Sequence, residues 1–174
     1  MARIIFIPWI VNHEQFKKCL KWQRQAAIHK HKLFHVVHYS PFPNPVLLLT
    51  TKGEIYIRGH GAANDPEIAP GSGAIGGDLR FDAVGDRLIK TGLRKAFAGK
   101  IKCWNCHSGV SGATSFAKQF ADYMRSRGYT NCTYWGYLDA LDSFYYRGVD
   151  GEYHRFAGDG SDEAARAKNN QIQV

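Results

Sequence analysis

The sequence predicts an α/β protein in which a mainly parallel central sheet is flanked by helices, and three observations carry that expectation. Short apolar runs (Arg3 to Ile7, Glu54 to Arg58, Lys100 to Asn105, Asn131 to Tyr137) alternate along the chain with longer stretches of helical periodicity. Those helical stretches are long enough to return the chain from one end of a sheet to the other, as parallel neighbours require. The run Ile4-Ile5-Phe6-Ile7 lacks the polar alternation of a half-solvated strand and reads as buried on both faces.

The length of 174 residues is close to one domain, and 44% hydrophobic residues with 13% aromatics suffice for a core. Lys and Arg number 23 against 15 Asp and Glu, leaving a net charge of +8. The basic residues are scattered, with Lys17, Lys18, Lys21 and Arg24 on one predicted helix and Lys90, Arg94, Lys95, Lys100 and Lys102 around another. Such scatter reads as solvated faces, and nucleic acid is not expected as a partner. No stretch approaches the roughly 20 apolar residues of a membrane span. Met1 to Pro8 lacks a signal-peptide pattern, and Cys19, Cys103, Cys106 and Cys132 are too dispersed for a disulfide scaffold. A cytoplasmic protein is expected, or one delivered by a secretion route without a cleaved signal.

In chain order, Arg3 to Ile7 is the first strand and Pro8 stops it. Asn12 with Gln15 three residues on has the form of a capping box, opening a helix to about His31 with a stripe of Phe16, Leu20 (or Cys19), Gln23 and Ala27. Leu33 to Tyr39 is a second strand, after which Pro41, Pro43 and Pro45 force an extended loop. Val46 to Thr50 and Glu54 to Arg58 flank Thr51-Lys52-Gly53 and read as a hairpin. Residues 61–78 form a Gly-rich loop of a length tied to function or motion, so a mobile flap or a self-cleavage segment is expected there.

Asp82 is placed to cap a helix carrying Val84, Leu88, Ile89, Leu93 and Phe97, ending at Gly99. The strand Lys100 to Asn105 follows, then a helix from about Ser111 to Arg127 with Phe116, Phe120, Tyr123 and Met124 inward and Gly128 as its stop. Asn131 to Tyr137 is the next strand and Leu138 to Ser143 a loop. Phe144 to Arg147 and Glu152 to Phe156 form a hairpin turning at Val149-Asp150-Gly151. Residues 1–158 are expected to be one domain and 159–174 a polar, frayed tail.

Two segments carry chemistry. Open α/β sheets bind ligands at the carboxyl ends of their strands. Ile101-Lys102-Cys103-Trp104-Asn105-Cys106-His107-Ser108-Gly109 is a strand breaking into a Gly/Ser loop, so Cys106 belongs at a strand tip while Cys103 belongs in the strand body. Ile55-Tyr56-Ile57-Arg58-Gly59-His60-Gly61 is a second strand ending at a histidine between glycines. A thiol and an imidazole at two strand tips are the parts of a nucleophile–base pair.

Strand–His-Gly, an intervening helix, then strand–Cys resembles the caspase-like clan of cysteine peptidases, which includes caspases, metacaspases, gingipain-type enzymes and the self-cleaving cysteine protease domains of large bacterial toxins. The likeness is strongest to small bacterial toxin or effector members, over Gly92-Leu93-Arg94-Lys95, the segment 101–109, Ser115-Phe116-Ala117 and Gly128-Tyr129-Thr130-Asn131, and it spans roughly residues 54–138. It implies a three-layer caspase-like sandwich and a thiol protease acting on a protein or peptide substrate with no cofactor. Carried over, Cys106 is the nucleophile, His60 the general base or acid, and the N–H groups of Gly61 and Cys106 the oxyanion hole. The resemblance also places Asp139 and Asp142 in the loop that lines the first specificity pocket, where carboxylates favour Lys or Arg. Caspases carry Gln-Ala-Cys-x-Gly at the nucleophile; Trp104-Asn105-Cys106-His107-Ser108-Gly109 departs from this, which argues against a caspase proper. Asp65 and Asp78 are the candidates to orient His60, though both residue types also form turns.

Alternatives start from the same residues. Cys103-Trp104-Asn105-Cys106-His107 is also C-x-x-C-H, the pattern of c-type haem attachment, and C-x-x-C serves thiol redox sites. Zinc could recruit Cys103, Cys106, His107 and Cys132, although the spacing of the second pair is wrong for it. A non-catalytic basic binding module is the remaining alternative.

Overall fold

The computed structural model describes residues 2–158 and 166–174. The elements in order are β1 (Ala2–Ile7), α1 (His13–Lys30), β2 (His35–His38), α2 (Pro45–Leu49), β3 (Gly53–Arg58), β4 (Glu67–Ile68), β5 (Leu79–Arg80), α3 (Phe81–Lys90), β6 (Lys100–Trp104), α4 (Phe116–Ser126), β7 (Thr133–Tyr137), β8 (Tyr146–Arg147), β9 (Tyr153–His154) and β10 (Gln171–Gln173). Six strands form the central sheet in the order β10-β7-β6-β3-β1-β2. All neighbours run parallel except β10, which is antiparallel to β7.

Register sorts the side chains into two faces, because residues paired across parallel strands point the same way. Tyr56 pairs with Lys102 and Arg58 with Trp104 on one face; Ile55 pairs with Ile101 and Ile57 with Cys103 on the other. Helix α1 covers the first face, its Trp22 ring lying 5.1 Å from Tyr56 and 5.2 Å from Trp104. On the second face Phe120 of α4 meets Tyr134 edge-on, and α3 presses against α4 so closely that a Cβ on Gly85 would lie 2.8 Å from the Tyr123 ring. Helices therefore cover both faces of the sheet, and Ile4, Ile5, Phe6 and Ile7 in its interior are fully buried.

Several expectations change in detail. Helix α1 buries Gln15, Cys19, Trp22 and Ala26, and Phe16 is left 38% exposed. The stripe is rotated by one position because the largest side chain, Trp22, takes the aromatic site between Phe34, Tyr56 and Trp104. Asn12 does cap the helix, accepting the Gln15 N–H at 3.2 Å, but the Gln15 side chain turns inward instead of closing the box. The hairpin expected across residues 46–58 is absent. Pro45 at the first helical position, with Asn44 accepting the Val46 N–H, makes Pro45–Leu49 a short helix, and β3 inserts in parallel between β1 and β6.

Asp82 lies inside the first turn of α3, where it binds the Arg80 guanidinium; it does not cap the helix. The helix stops at Lys90, with the Thr91 hydroxyl donating to the Arg87 carbonyl, while Leu93 and Phe97 are buried from the following turns. Ser115 caps α4 by accepting the Lys118 N–H, after a single 3-10 turn at Gly112–Thr114. The β8–β9 hairpin forms as expected.

Loop 61–78 is strapped down. His60 and Ala69 exchange two backbone hydrogen bonds, Ser72 N–H donates to Glu14, Ile75 N–H to the Val11 carbonyl, and the Trp9 indole to the Gly77 carbonyl. The end of the expected frayed tail returns as β10, with Gln171 opposite Tyr137, while residues 159–165 of that tail lie outside the described residues.

Candidate active site

The parallel pairing of β3 with β6 positions the site. Arg58 lies opposite Trp104 in the last register, so the two chains leave the sheet side by side, one toward His60 and the other toward Cys106. Gly61 then comes so near the second segment that a Cβ there would lie 2.6 Å from the Cys106 carbonyl oxygen and 2.9 Å from Asn105 Nδ2. Only glycine fits that approach. His60 and half-buried Cys106 line one small cleft of about 60 Å³, together with Lys18, Arg58, Asn105 and Ser143.

The turn after Cys106 is held by fixed partners. His107 adopts φ +55°, a left-handed conformation uncommon outside glycine, and its N–H donates to the Asp139 carbonyl at 3.1 Å. Fully buried Ser108 donates to the Cys103 carbonyl at 2.7 Å and accepts the Tyr137 N–H at 3.0 Å, which ties the turn to the end of β7. The Leu141 N–H donates to Cys106 Sγ at 3.3 Å. Among the described residues the N–H groups of Gly61 and Cys106 make no hydrogen bond, leaving both donors available at the same cleft.

The group beside the imidazole is one that sequence reasoning missed. Glu14, in the first turn of α1, places Oε1 3.2 Å from His60 Nε2, and its other oxygen accepts the Ser72 N–H at 2.7 Å. The hydrogen bond from Lys18, at 2.6 Å, does most to hold this carboxyl down, at about 2, with Ser72 and His60 adding to it. Asp65 instead accepts the Glu67 N–H two residues on, and Asp78 is exposed. The one signal in the chain was the Glu14–Lys18 pair at i,i+4 on the helix opening, which says nothing of His60.

The two aspartates expected in the specificity loop turn away from this cleft. Asp139 accepts the Ala140 N–H, and Asp142 binds the Phe144 N–H and the Tyr146 hydroxyl. Neither lines the space beside Cys106, whose charged walls are cationic.

The remaining cysteines are packed. Cys103 is fully buried and burial pushes its thiol up; Cys19 is pushed up to about 11 for the same reason. Cys132 donates to the Phe97 carbonyl. Cys103 faces α3 and α4 from inside the sheet while Cys106 lies beyond the strand end, so the C-x-x-C pair does not present both sulfurs to one ligand. Among the described residues no three His, Cys, Asp or Glu side chains converge as a metal site.

The basic residues are less scattered than the sequence indicated. Lys30, Lys32, Lys102, Arg155 and Lys168 surround a second cavity of about 200 Å³ on the α1 face. Arg155 stacks 3.8 Å from the Trp104 ring and 4.0 Å from Trp22. No acidic side chain lines that cavity, although Glu152 pairs with Lys30 and Glu54 with Lys102 at its edge. No helix of the described residues is long and apolar enough to cross a membrane.

No protein-family model matches this chain, and no curated protein is significantly similar to it in sequence.

Proposed function

We propose that the chain is a cysteine endopeptidase of caspase-like architecture, a hydrolase of the bacterial effector or toxin type acting on a protein or peptide. The supporting observation is that His60 and Cys106, 46 residues apart, line one cleft from the tips of neighbouring parallel strands, with two unpartnered N–H groups beside them. In the proposed reaction the Cys106 thiolate adds to the peptide carbonyl, and the N–H groups of Gly61 and Cys106 hold the oxyanion. The C–N bond then breaks, and the amine leaves with a proton from His60. Water, deprotonated by His60, cleaves the thioester to release the carboxylic acid and restore the thiol. Glu14, accepting from His60 Nε2, fixes the ring so that Nδ1 is the nitrogen left for chemistry.

The deciding experiment is cleavage of a diverse peptide pool by the unaltered chain and by Cys106→Ala, His60→Ala and Cys103→Ala. Loss of cleavage in the first two with retention in the third supports the proposal. Equal dependence on Cys103 and Cys106, or a Soret band in the purified protein, refutes it in favour of redox or haem chemistry.

A second reading, a non-catalytic module for an anionic partner, rests on the cationic cavity around Arg155. It predicts a salt-sensitive rise in melting temperature with added pyrophosphate that Cys106→Ala leaves unchanged.

A further inference from the structure

We propose that the cleft beside Cys106 is a carboxylate pocket in which Arg58, assisted by Asn105, receives an acidic group of the substrate next to the bond under attack. The inference takes its substrate from the peptidase reading, but its charge argument rests on other residues.

Arg58 ends β3 and is 4% exposed. Its Nη2 donates to Gln15 Oε1 at 3.1 Å and to Ser143 Oγ at 2.8 Å, both neutral acceptors, and its buried Nε has no partner. Among the described residues no carboxylate forms an ion pair with it. The neighbouring Cys19 thiol is held neutral by burial, and Glu14 is occupied by Lys18, Ser72 and His60. A guanidinium taken out of water without an anion is one of the costlier arrangements a fold can keep, and a bound anion relieves it. Asn105 repeats the pattern: it is 2% exposed, it lines the same cleft, and both its amide atoms lack partners. Lys18 adds positive charge at the rim. At about 60 Å³ the space suits a carboxylate on a short stem and is too small for a lysine or arginine side chain. The preference is thus opposite in sign to the one expected from Asp139 and Asp142.

The guanidinium fork is built for carboxylate oxygens, and a charge-assisted hydrogen bond discriminates against the neutral amide of the same shape. With the full chain and N-acetylated fluorogenic peptides differing only at the residue that donates the scissile carbonyl, Asp or Glu should exceed Asn or Gln in kcat/KM by roughly 10- to 150-fold. Leu and Lys should be poor. A parallel peptide whose only carboxylate is its free C-terminus, compared with its amide, tells a side-chain acid from a terminal one as the source. Arg58→Gln should bring the Asp/Asn ratio close to one, and Arg58→Lys should keep part of it. Equal rates for Asp and Asn, or a preference for Lys, overturn the proposal while leaving the peptidase reading intact.

Because Arg58→Gln is a buried change and could fail to fold, a second measurement uses only the unaltered chain. N-acetyl-aspartate amide should protect Cys106 from iodoacetamide where N-acetyl-asparagine amide does not, and absence of that difference also overturns it. Protection without cleavage of any peptide keeps the carboxylate pocket and removes the peptidase. Should Arg58→Gln slow alkylation by uncharged iodoacetamide yet leave the Asp/Asn ratio unchanged, the arginine serves the thiolate and the proposal fails.

Discussion

Replacing Gly61 by alanine tests the geometry on which the site depends. The added methyl carbon would sit 2.6 Å from the Cys106 carbonyl oxygen, about 0.8 Å inside the 3.4 Å where ordinary contact begins, and 2.9 Å from Asn105 Nδ2. Neither neighbour gives way cheaply. The first is backbone, held in a turn whose next two amides are bonded to Asp139 and Asn105, and the second belongs to a buried side chain. The strand tips must therefore part by several tenths of an ångström. Overpacking of this kind costs about 1–3 kcal/mol, which for a chain of this size lowers the melting temperature by roughly 2–4 °C per kcal/mol. The effect on rate should be larger than the effect on stability. A displacement approaching 1 Å between reacting groups costs about 100-fold, and Gly61 also carries one of the two proposed oxyanion donors. Calorimetry beside peptide turnover measures both. A Gly61→Ala protein that melts with the parent and turns over at the same rate would mean that the two tips do not abut as described.

Other consequences are equally open to measurement. Under native conditions a small thiol reagent should modify Cys106 and spare Cys19, Cys103 and Cys132, which are buried; mass mapping after brief labelling reads this, and comparable labelling of Cys103 would contradict its burial. Ser108→Ala removes a donor to the Cys103 carbonyl and an acceptor for the Tyr137 N–H, both buried, and should cost about 1–3 kcal/mol by denaturant unfolding. The Glu14 carboxyl is lowered from 4.5 to about 2 in the folded protein, chiefly by Lys18. A carboxyl lowered by folding contributes stability that is complete above pH 4.5 and disappears as pH falls toward 2, so acid titration should show a loss in that window that Glu14→Gln lacks. The same variant should lower kcat more than it raises KM and change the pH–rate profile, because Glu14 acts through His60 rather than on the substrate. An unchanged profile would reduce Glu14 to a strap for the loop at Ser72.

Local pattern is enough to read the alternation of strands and helices, the mainly parallel sheet, and the location of His60 and Cys106 at strand ends. Strand propensity stops where glycine and serine begin, and that boundary is written in consecutive residues: Gly59 and Gly61 around His60, Ser108 and Gly109 after Cys106. The errors fall where one local signal competed with another or with packing. Pro45 after Asn44 starts a helix as readily as it interrupts a strand, and Trp22 rotated α1 by one position to reach Tyr56 and Trp104. The polar segment that becomes β10 needs only backbone pairing with β7, so its composition carries no mark of the strand.

What only the tertiary structure decided is the company each functional side chain keeps. Glu14 reaches His60 across 46 residues, and Arg58 reaches Ser143 across 85. Asp139 and Asp142, which the loop seemed to offer to a substrate, are bound to their own neighbours instead. The sequence by itself determines where a strand must end and therefore which residue stands at its tip, because those choices depend on sterics within a few residues. The charge beside that tip is set by helices and loops folded in from elsewhere, and no short-range rule links them to it.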